Sequence, residues 1–158
     1  MDTIFFIFVF LLGTIIGSFL NVVIYRFNTG KTIVKGHSIC MTCNRNLRWY
    51  ELIPVLSFLI QNGKCRRCAS AISHQYPLVE LTTGLIFALI AFHFLPIFII
   101  SIPSYVIFVT FYSFVFSLLT VIVVYDIRHK IIPDKLVYMF IIVSFFSIFI
   151  NFSGFDPL

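Results

Sequence analysis

The sequence predicts an all-α polytopic membrane protein with about four transmembrane helices and a long polar loop between the first and the second. Of its 158 residues, 60% are hydrophobic and only 11% are charged. A soluble domain carries about 25% charged residues. Since so few charges cannot cover a water-exposed surface, lipid must solvate much of the chain. The composition therefore excludes an ordinary soluble domain.

The apolar residues fall into separate spans. The first and third reach the roughly 20 residues that a spanning helix needs, and the second and fourth are shorter. Pro96 and Pro103 favour a turn between the second and third spans. The four spans run from about Thr3 to Ile24, Leu78 to Leu95, Ser104 to Tyr125, and Leu136 to Ile150.

The basic residues define an orientation. Eight of the eleven Lys and Arg residues lie between Arg26 and Arg67, and the other three lie between Arg128 and Lys135. Lys and Arg accumulate in cytoplasmic loops. With the N-terminus outside, all of them lie in the cytoplasm. The net charge of +5 thus indicates contact with membrane lipids, and we expect no nucleic-acid partner.

This orientation gives a predicted organisation in three parts. Residues 1–25 form the first transmembrane helix, residues 26–77 form a cytoplasmic loop, and residues 78–158 contain the remaining helices.

All four cysteines lie in the loop, as the pairs CMTC and CRRC, with 21 residues between the inner members. Two C-x-x-C pairs at this separation are typical of a zinc knuckle, in which each turn directs two thiolates at one ion. Two disulfides or unconnected thiols are the alternatives, but the reducing cytoplasmic side disfavours disulfides. A closed shell of four thiolates predicts a structural zinc. Its ligands would be Cys40, Cys43, Cys65 and Cys68.

Several longer motifs occur in a fixed order along the chain. They are GSFLNVVIYR (17–26), LIPVLSFL (52–59), GKCRRC (63–68), YPLVELTTG (76–84) and the D-x-x-x-x-x-x-P-D string (126–134). Together with the cysteine pairs, they resemble the type IV prepilin peptidases. These are membrane aspartyl proteases that process pilin-like precursors.

The resemblance implies a reaction and its partners. The family cuts the leader from prepilin or pseudopilin precursors at the cytoplasmic face of the bacterial inner membrane. Many members then methylate the new N-terminus with S-adenosylmethionine. Of the two catalytic aspartates, one matches Asp126. The other lies in a later Gly-x-Gly-Asp motif, which does not occur in these 158 residues.

The missing motif leaves two hypotheses. In the first, the chain is the N-terminal portion of an aspartic endopeptidase, with a truncated peptidase domain that does not cleave by itself. In the second, it is a non-catalytic, membrane-anchored zinc knuckle that binds a partner or substrate without cutting it. A second aspartate in a downstream segment would decide for the first hypothesis.

The remaining acids have alternative interpretations. An acid at the membrane interface is a functional candidate, but Asp126 also suits the simple end of a helix. Asp134 follows a proline and suits an N-cap. Glu80 favours structural pairing over substrate contact, and Glu51 favours a solvated loop acid over a role in methyl transfer. Asp156 lacks the glycine pattern and falls outside in this topology.

Other polar and small residues have structural interpretations. Gly17 and Ser18 favour close helix packing. Asn21 and Arg26 suit either orientation of the loop or binding of a lipid headgroup. The basic turn of Arg128, His129 and Lys130 favours contact with headgroups or solvent.

Overall fold

The computed structural model describes residues 3–30, 32–33 and 36–152, with side chains as far as residue 147. The described residues form helices and no β-strand, so the predicted all-α class is confirmed. The helices are α1 (Thr3–Arg26), α2 (Leu56–Ile60), α3 (Gln75–His93), α4 (Leu95–Ile100), α5 (Ile102–His129) and α6 (Asp134–Phe152). A 3₁₀ turn spans Trp49–Leu52.

Among the described residues, α1, α3 and α5 are long and apolar enough to cross a membrane. Helix α6 occupies the fourth predicted span. Helices α1, α5 and α6 extend beyond the apolar runs that predicted them, whereas α3 begins three residues earlier and ends two residues earlier than its run. Helices α1 and α5 end in the basic residues Arg26 and His129. Long basic side chains extend toward the polar interface, so a helix can continue past its apolar part.

The predicted turn at Pro96 and Pro103 is only partly correct, because the junction contains the short helix α4. Each proline lies in the first turn of a helix, where its missing amide breaks no helical hydrogen bond. The Ser101 side chain caps α5 by accepting from the amide of Ser104 at 3.5 Å. These prolines therefore start helices, and the chain reverses across α4 between α3 and α5.

Among the described helices, α1 and α3 pack against each other more extensively than any other pair. A Cβ atom on Gly17 would lie 2.8 Å from the Cα of Glu80, and one on Gly13 would lie 2.8 Å from the Cα of Gly84. Gly13 and Gly17 form a GxxxG pattern, which permits close approach of membrane helices. The predicted packing role of Gly17 is therefore confirmed.

We expect Gly17→Leu to separate α1 from α3. The added side chain has no space against backbone, so the free energy of unfolding should fall by at least about 1–3 kcal/mol. Thermal unfolding in detergent measures this loss. Ile15→Leu is the matched control, because Ile15 is 57% exposed on the outer face of the same helix. Equal stability of the two variants would contradict the close packing.

The end of the bundle that carries the loop has its own apolar core. Leu20 and Ile24 of α1 pack with Val79 of α3, Val121 of α5 and Leu136 of α6. This core fixes the ends of four helices beside the loop. It thereby positions the ends of α1 and α3, which the loop connects.

Candidate functional site

The two C-x-x-C pairs form turns of the same design. In each, the amide of the first cysteine donates to the carbonyl five residues later, and its carbonyl accepts from the amide four residues later; all of these bonds are 2.9 Å long. Asn44 and Ala69 close the turns with left-handed φ values of 52° and 54°. An isolated antiparallel bridge flanks each turn. The turns are structural copies, a repeat that the sequence does not reveal.

These turns bring the four cysteines together. All four sulfur atoms lie within 4.8 Å of one another, and the Sγ atoms of Cys40 and Cys68 are 3.8 Å apart. Tetrahedral zinc with bonds of about 2.3 Å places its sulfur ligands about 3.8 Å apart. The cysteines are free thiols. Their arrangement can hold a metal ion.

Local hydrogen bonds lower the pKa of two of the four cysteines, Cys40 and Cys68. The backbone amides of Cys43 and Thr42 lower the pKa of the Cys40 thiol to about 6. The hydroxyl and amide of Ser70 lower the pKa of the Cys68 thiol, and the hydroxyl lies 3.1 Å from its sulfur. Since thiolates are the ligands for soft metals, these bonds favour the metal-binding form at Cys40 and Cys68. At Cys43 the Arg45 amide acts to lower the pKa, but burial and the neighbouring Cys40 and Cys68 thiols outweigh it and raise the pKa to about 11.

Glu51 is buried, so the interpretation as a solvated loop acid is wrong. It is 6% exposed. One carboxylate oxygen accepts from the Arg45 guanidinium at 2.6 Å, and the other accepts from the Arg48 amide at 2.9 Å. Burial acts to raise the pKa of Glu51, but the Arg48 amide and Arg45 outweigh it and hold the pKa below its ordinary value. Glu51 therefore links the first cysteine turn to the 3₁₀ turn as a carboxylate.

We expect Glu51→Ala to loosen the 3₁₀ turn while leaving the cysteine cluster able to bind metal. Loss of the bond to the Arg48 amide should speed hydrogen exchange at that amide by about tenfold. Glu51→Gln retains one acceptor and should show a smaller increase. Residue-resolved hydrogen exchange measures both. Unchanged exchange in the alanine variant would show that the carboxylate does not hold this turn.

Glu80 connects the loop to α3. It is 6% exposed, and its Oε2 accepts from the Val55 amide at 2.7 Å. Val55 has φ 60° and ψ −51°, and the Leu56 amide bonds the Pro54 carbonyl at 2.5 Å across it. This three-residue turn is strained, above all for a β-branched residue. The sequence predicts a structural partner for Glu80, and that partner is the backbone amide of Val55. This hydrogen bond holds the strained turn against the bundle.

A cavity of about 740 Å³ lies between the loop and the ends of α1, α3 and α5. We call it the loop cavity. Its wall combines polar groups from the helices with the inner side of the loop. The wall includes Ser18, Asn21 and Tyr25 of α1, Tyr76 and Glu80 of α3, Arg128 of α5, and Cys40, Glu51 and Cys65 of the loop.

Arg128 contacts the aromatic wall of this cavity, whereas the sequence predicts that the basic turn contacts headgroups or solvent. Its guanidinium carbon lies 3.8 Å from the centre of the Tyr25 ring. Tyr25 and Tyr76 stack with ring centres 5.0 Å apart. Cation–π contacts of this kind fix a guanidinium in place. The stack therefore joins α5 to α1 and α3 at the edge of the cavity.

Asp126 lies in the last turn of α5 and is half-buried. Its carbonyl accepts from the amide of Lys130, where α5 ends. Asp134 is the exposed first residue of α6, which agrees with its predicted position at a helix start. Asp126 is thus at the end of the bundle that carries the loop. Asp156 lies outside the described residues.

Comparisons with known proteins support the same family. The model of the bacterial peptidase A24 N-terminal domain matches residues 11–94. A prepilin leader peptidase/N-methyltransferase of Myxococcus xanthus is 52% identical over 81 residues, which are 51% of this chain and 24% of that protein. No solved structure gives a significant match.

Two further relatives extend the similarity. The proteins of the same name from Bacillus subtilis and Vibrio cholerae are 37% identical over 132 residues and 33% identical over 157 residues. These matches cover 84% and 92% of this chain but 50% and 57% of the relatives. The chain thus spans little more than half the length of such relatives. It belongs to the type IV prepilin peptidase family and carries the bacterial peptidase A24 N-terminal domain.

Proposed function

We propose that the chain forms the N-terminal part of a prepilin leader peptidase/N-methyltransferase of the bacterial inner membrane. The observation that carries this proposal is the loop cavity, which lies at the end of the bundle where the last turn of α5 carries Asp126. The name shared by the relatives supports the activity. The substrates would be prepilin or pseudopilin precursors, whose N-termini leave the bilayer on the cytoplasmic side.

The loop, residues 26–77, would be a cytoplasmic module held by zinc. Cys40, Cys43, Cys65 and Cys68 supply four thiolates at distances that suit tetrahedral zinc. Four protein ligands leave no open position, so the metal would stabilise the loop without activating water. Its role would be to shape the wall of the cavity.

For the peptidase reaction, we assign a catalytic role to Asp126. Aspartyl proteolysis needs two carboxylates that share a proton, so that one activates water while the other polarises the scissile carbonyl. Asp126 lies at a helix end where a peptide emerging from lipid meets water. The partner would come from a Gly-x-Gly-Asp segment, which these 158 residues do not contain. The chain alone is therefore expected not to cleave.

For methyl transfer, we propose that the loop cavity receives S-adenosylmethionine. Its volume of about 740 Å³ lies within the range of about 300–1,000 Å³ typical of small-molecule sites. The stacked Tyr25 and Tyr76 offer an aromatic surface, and Glu80 offers a carboxyl group. The cofactor would supply the methyl group, while these residues would bind it and exclude water.

A chimeric protein tests the proposal. In the Bacillus subtilis relative, the 132 aligned residues would be replaced by those of this chain. We expect the chimera to cleave and methylate a pilin precursor, as judged by mass spectrometry of the pilin N-terminus. A chimera that inserts and binds zinc but leaves the precursor uncut would favour the alternative, a zinc knuckle that binds without cutting.

A further inference from the structure

Asn21 is a polar residue near the end of α1 that carries the loop, and it is completely buried. Its side-chain nitrogen donates to the carbonyl of Gly17 at 3.3 Å and to the carbonyl of Tyr76 at 3.2 Å. The second bond crosses from α1 to α3. The side chain also lies in the wall of the loop cavity.

These two bonds fix the orientation of the side-chain amide. Both partners are carbonyl oxygens, which only accept, so the nitrogen must face them and the oxygen must point away. That oxygen, Oδ1, is buried and has no hydrogen-bond partner among the described residues. A buried acceptor without a partner costs free energy, and such groups are rare unless a ligand or water satisfies them.

A second acceptor lies nearby in the same wall. Gly17 brings α1 against the Cα of Glu80, and Glu80 follows Tyr76 by one helical turn. Ser18 and Glu80 both lie in the wall of the cavity. This part of the cavity therefore combines an amide oxygen with a carboxylate at a buried position. Its chemical complement is a group with N–H donors and positive charge.

We propose that Asn21 Oδ1 accepts a hydrogen bond from a primary amine bound in the loop cavity, with Glu80 balancing the charge of that amine. The inference rests on the proposed function, in which two ligands carry such a group. One is the new N-terminus of the pilin, and the other is the amino group of S-adenosylmethionine. Asn21 would position whichever amine enters.

Paired probes separate the two sources. The zinc-loaded chain in detergent is titrated with S-adenosylmethionine and with its analogue that lacks the amino group. It is also titrated with a short apolar peptide whose N-terminus is free or acetylated. In one of the two pairs, we expect the ligand with the free amine to bind about tenfold more tightly than its partner without it. The partner lacks the charged group that forms the hydrogen bond to Asn21. The pair that shows the preference identifies the source.

Two variants separate recognition from structure. Asn21→Asp and Asn21→Leu both lose the bonds from nitrogen to Gly17 and Tyr76, but aspartate keeps an oxygen that can face the cavity. We expect the aspartate variant to retain the preference for the amine and the leucine variant to lose it. Zinc content and helical circular dichroism establish that both variants are folded.

Equal affinity for both forms of each probe would overturn the inference and leave the cavity as a binding site, with water satisfying Oδ1. Loss of the preference in both variants alike would also overturn it, because a purely structural role predicts that result. If no probe binds in any form, the proposed methyl-transfer role falls together with the inference.

Discussion

Cys65→Ser is expected to abolish zinc binding and to unfold the loop between α1 and α3. Among the described residues of this loop, only Glu51 and Cys65 are buried. So small a core cannot offset the conformational entropy of a segment this long. Structural zinc contributes about 10–16 kcal/mol to folding in small domains. The effect on the loop should therefore exceed that of any packing change.

Elemental analysis and limited proteolysis measure this effect. The variant should contain no zinc and should be cut within the loop, while α1, α3 and α5 stay in the membrane. Met41→Leu is the matched control, because Met41 lies inside the first cysteine pair and is 63% exposed. It should keep both zinc and protection. Full zinc content in the Cys65 variant would mean that the four thiolates do not form the site.

Asp126→Asn is expected to remove precursor cleavage by the chimera with the Bacillus subtilis relative. Asparagine keeps the size of the side chain but cannot ionise, so the shared-proton pair cannot form. Loss of a group that performs acid–base catalysis lowers the rate by about 10²–10⁴-fold. Insertion and zinc content should remain unchanged, because Asp126 is neither one of the four clustered cysteines nor part of α1 or α3.

Asp134→Asn serves as the control for this prediction. Asp134 begins α6, and asparagine caps helices about as well as aspartate. The control chimera should therefore cleave at nearly the normal rate. Cleavage by the Asp126 variant at the rate of the control would show that a different acid performs the catalysis.

Much of the fold follows directly from local sequence. Spans of apolar residues predict α1, α3 and α5, because lipid forces every backbone amide in such a span into a helix. The cysteine turns are equally local, since each is closed by hydrogen bonds within six residues. Gly17 could be assigned to helix packing because a glycine in a membrane helix has few other uses.

The interior of the site could not be predicted in the same way. Glu51 is charged and lies in a polar loop, so nothing local indicates burial. Its environment arises only when the first cysteine turn places Arg45 beside it. The turn at Val55 likewise depends on Glu80, 25 residues later in the sequence. A β-branched residue such as Val55 does not indicate a positive φ in the sequence.

Asn21 and Arg128 show the same limit. A lone asparagine in an apolar span is a signal of function or packing, but only the structure shows which atom lacks a partner. The basic turn predicts contact with lipid when only its local sequence is considered. The stack of Arg128 on Tyr25 depends on α1 and α5 meeting at one end of the bundle.

We propose that the loop cavity lies beside the N-terminal region of a pilin precursor as it leaves the bilayer, and site-specific photo-crosslinking tests this proposal most directly. A photoreactive phenylalanine would replace either Met41, in the cavity wall, or Leu89, which is 57% exposed on the outer face of α3. In cells that produce the chimera and a pilin precursor, we predict a cross-link to the precursor from position 41 and none from position 89. Cross-links from position 89 alone would contradict the claim.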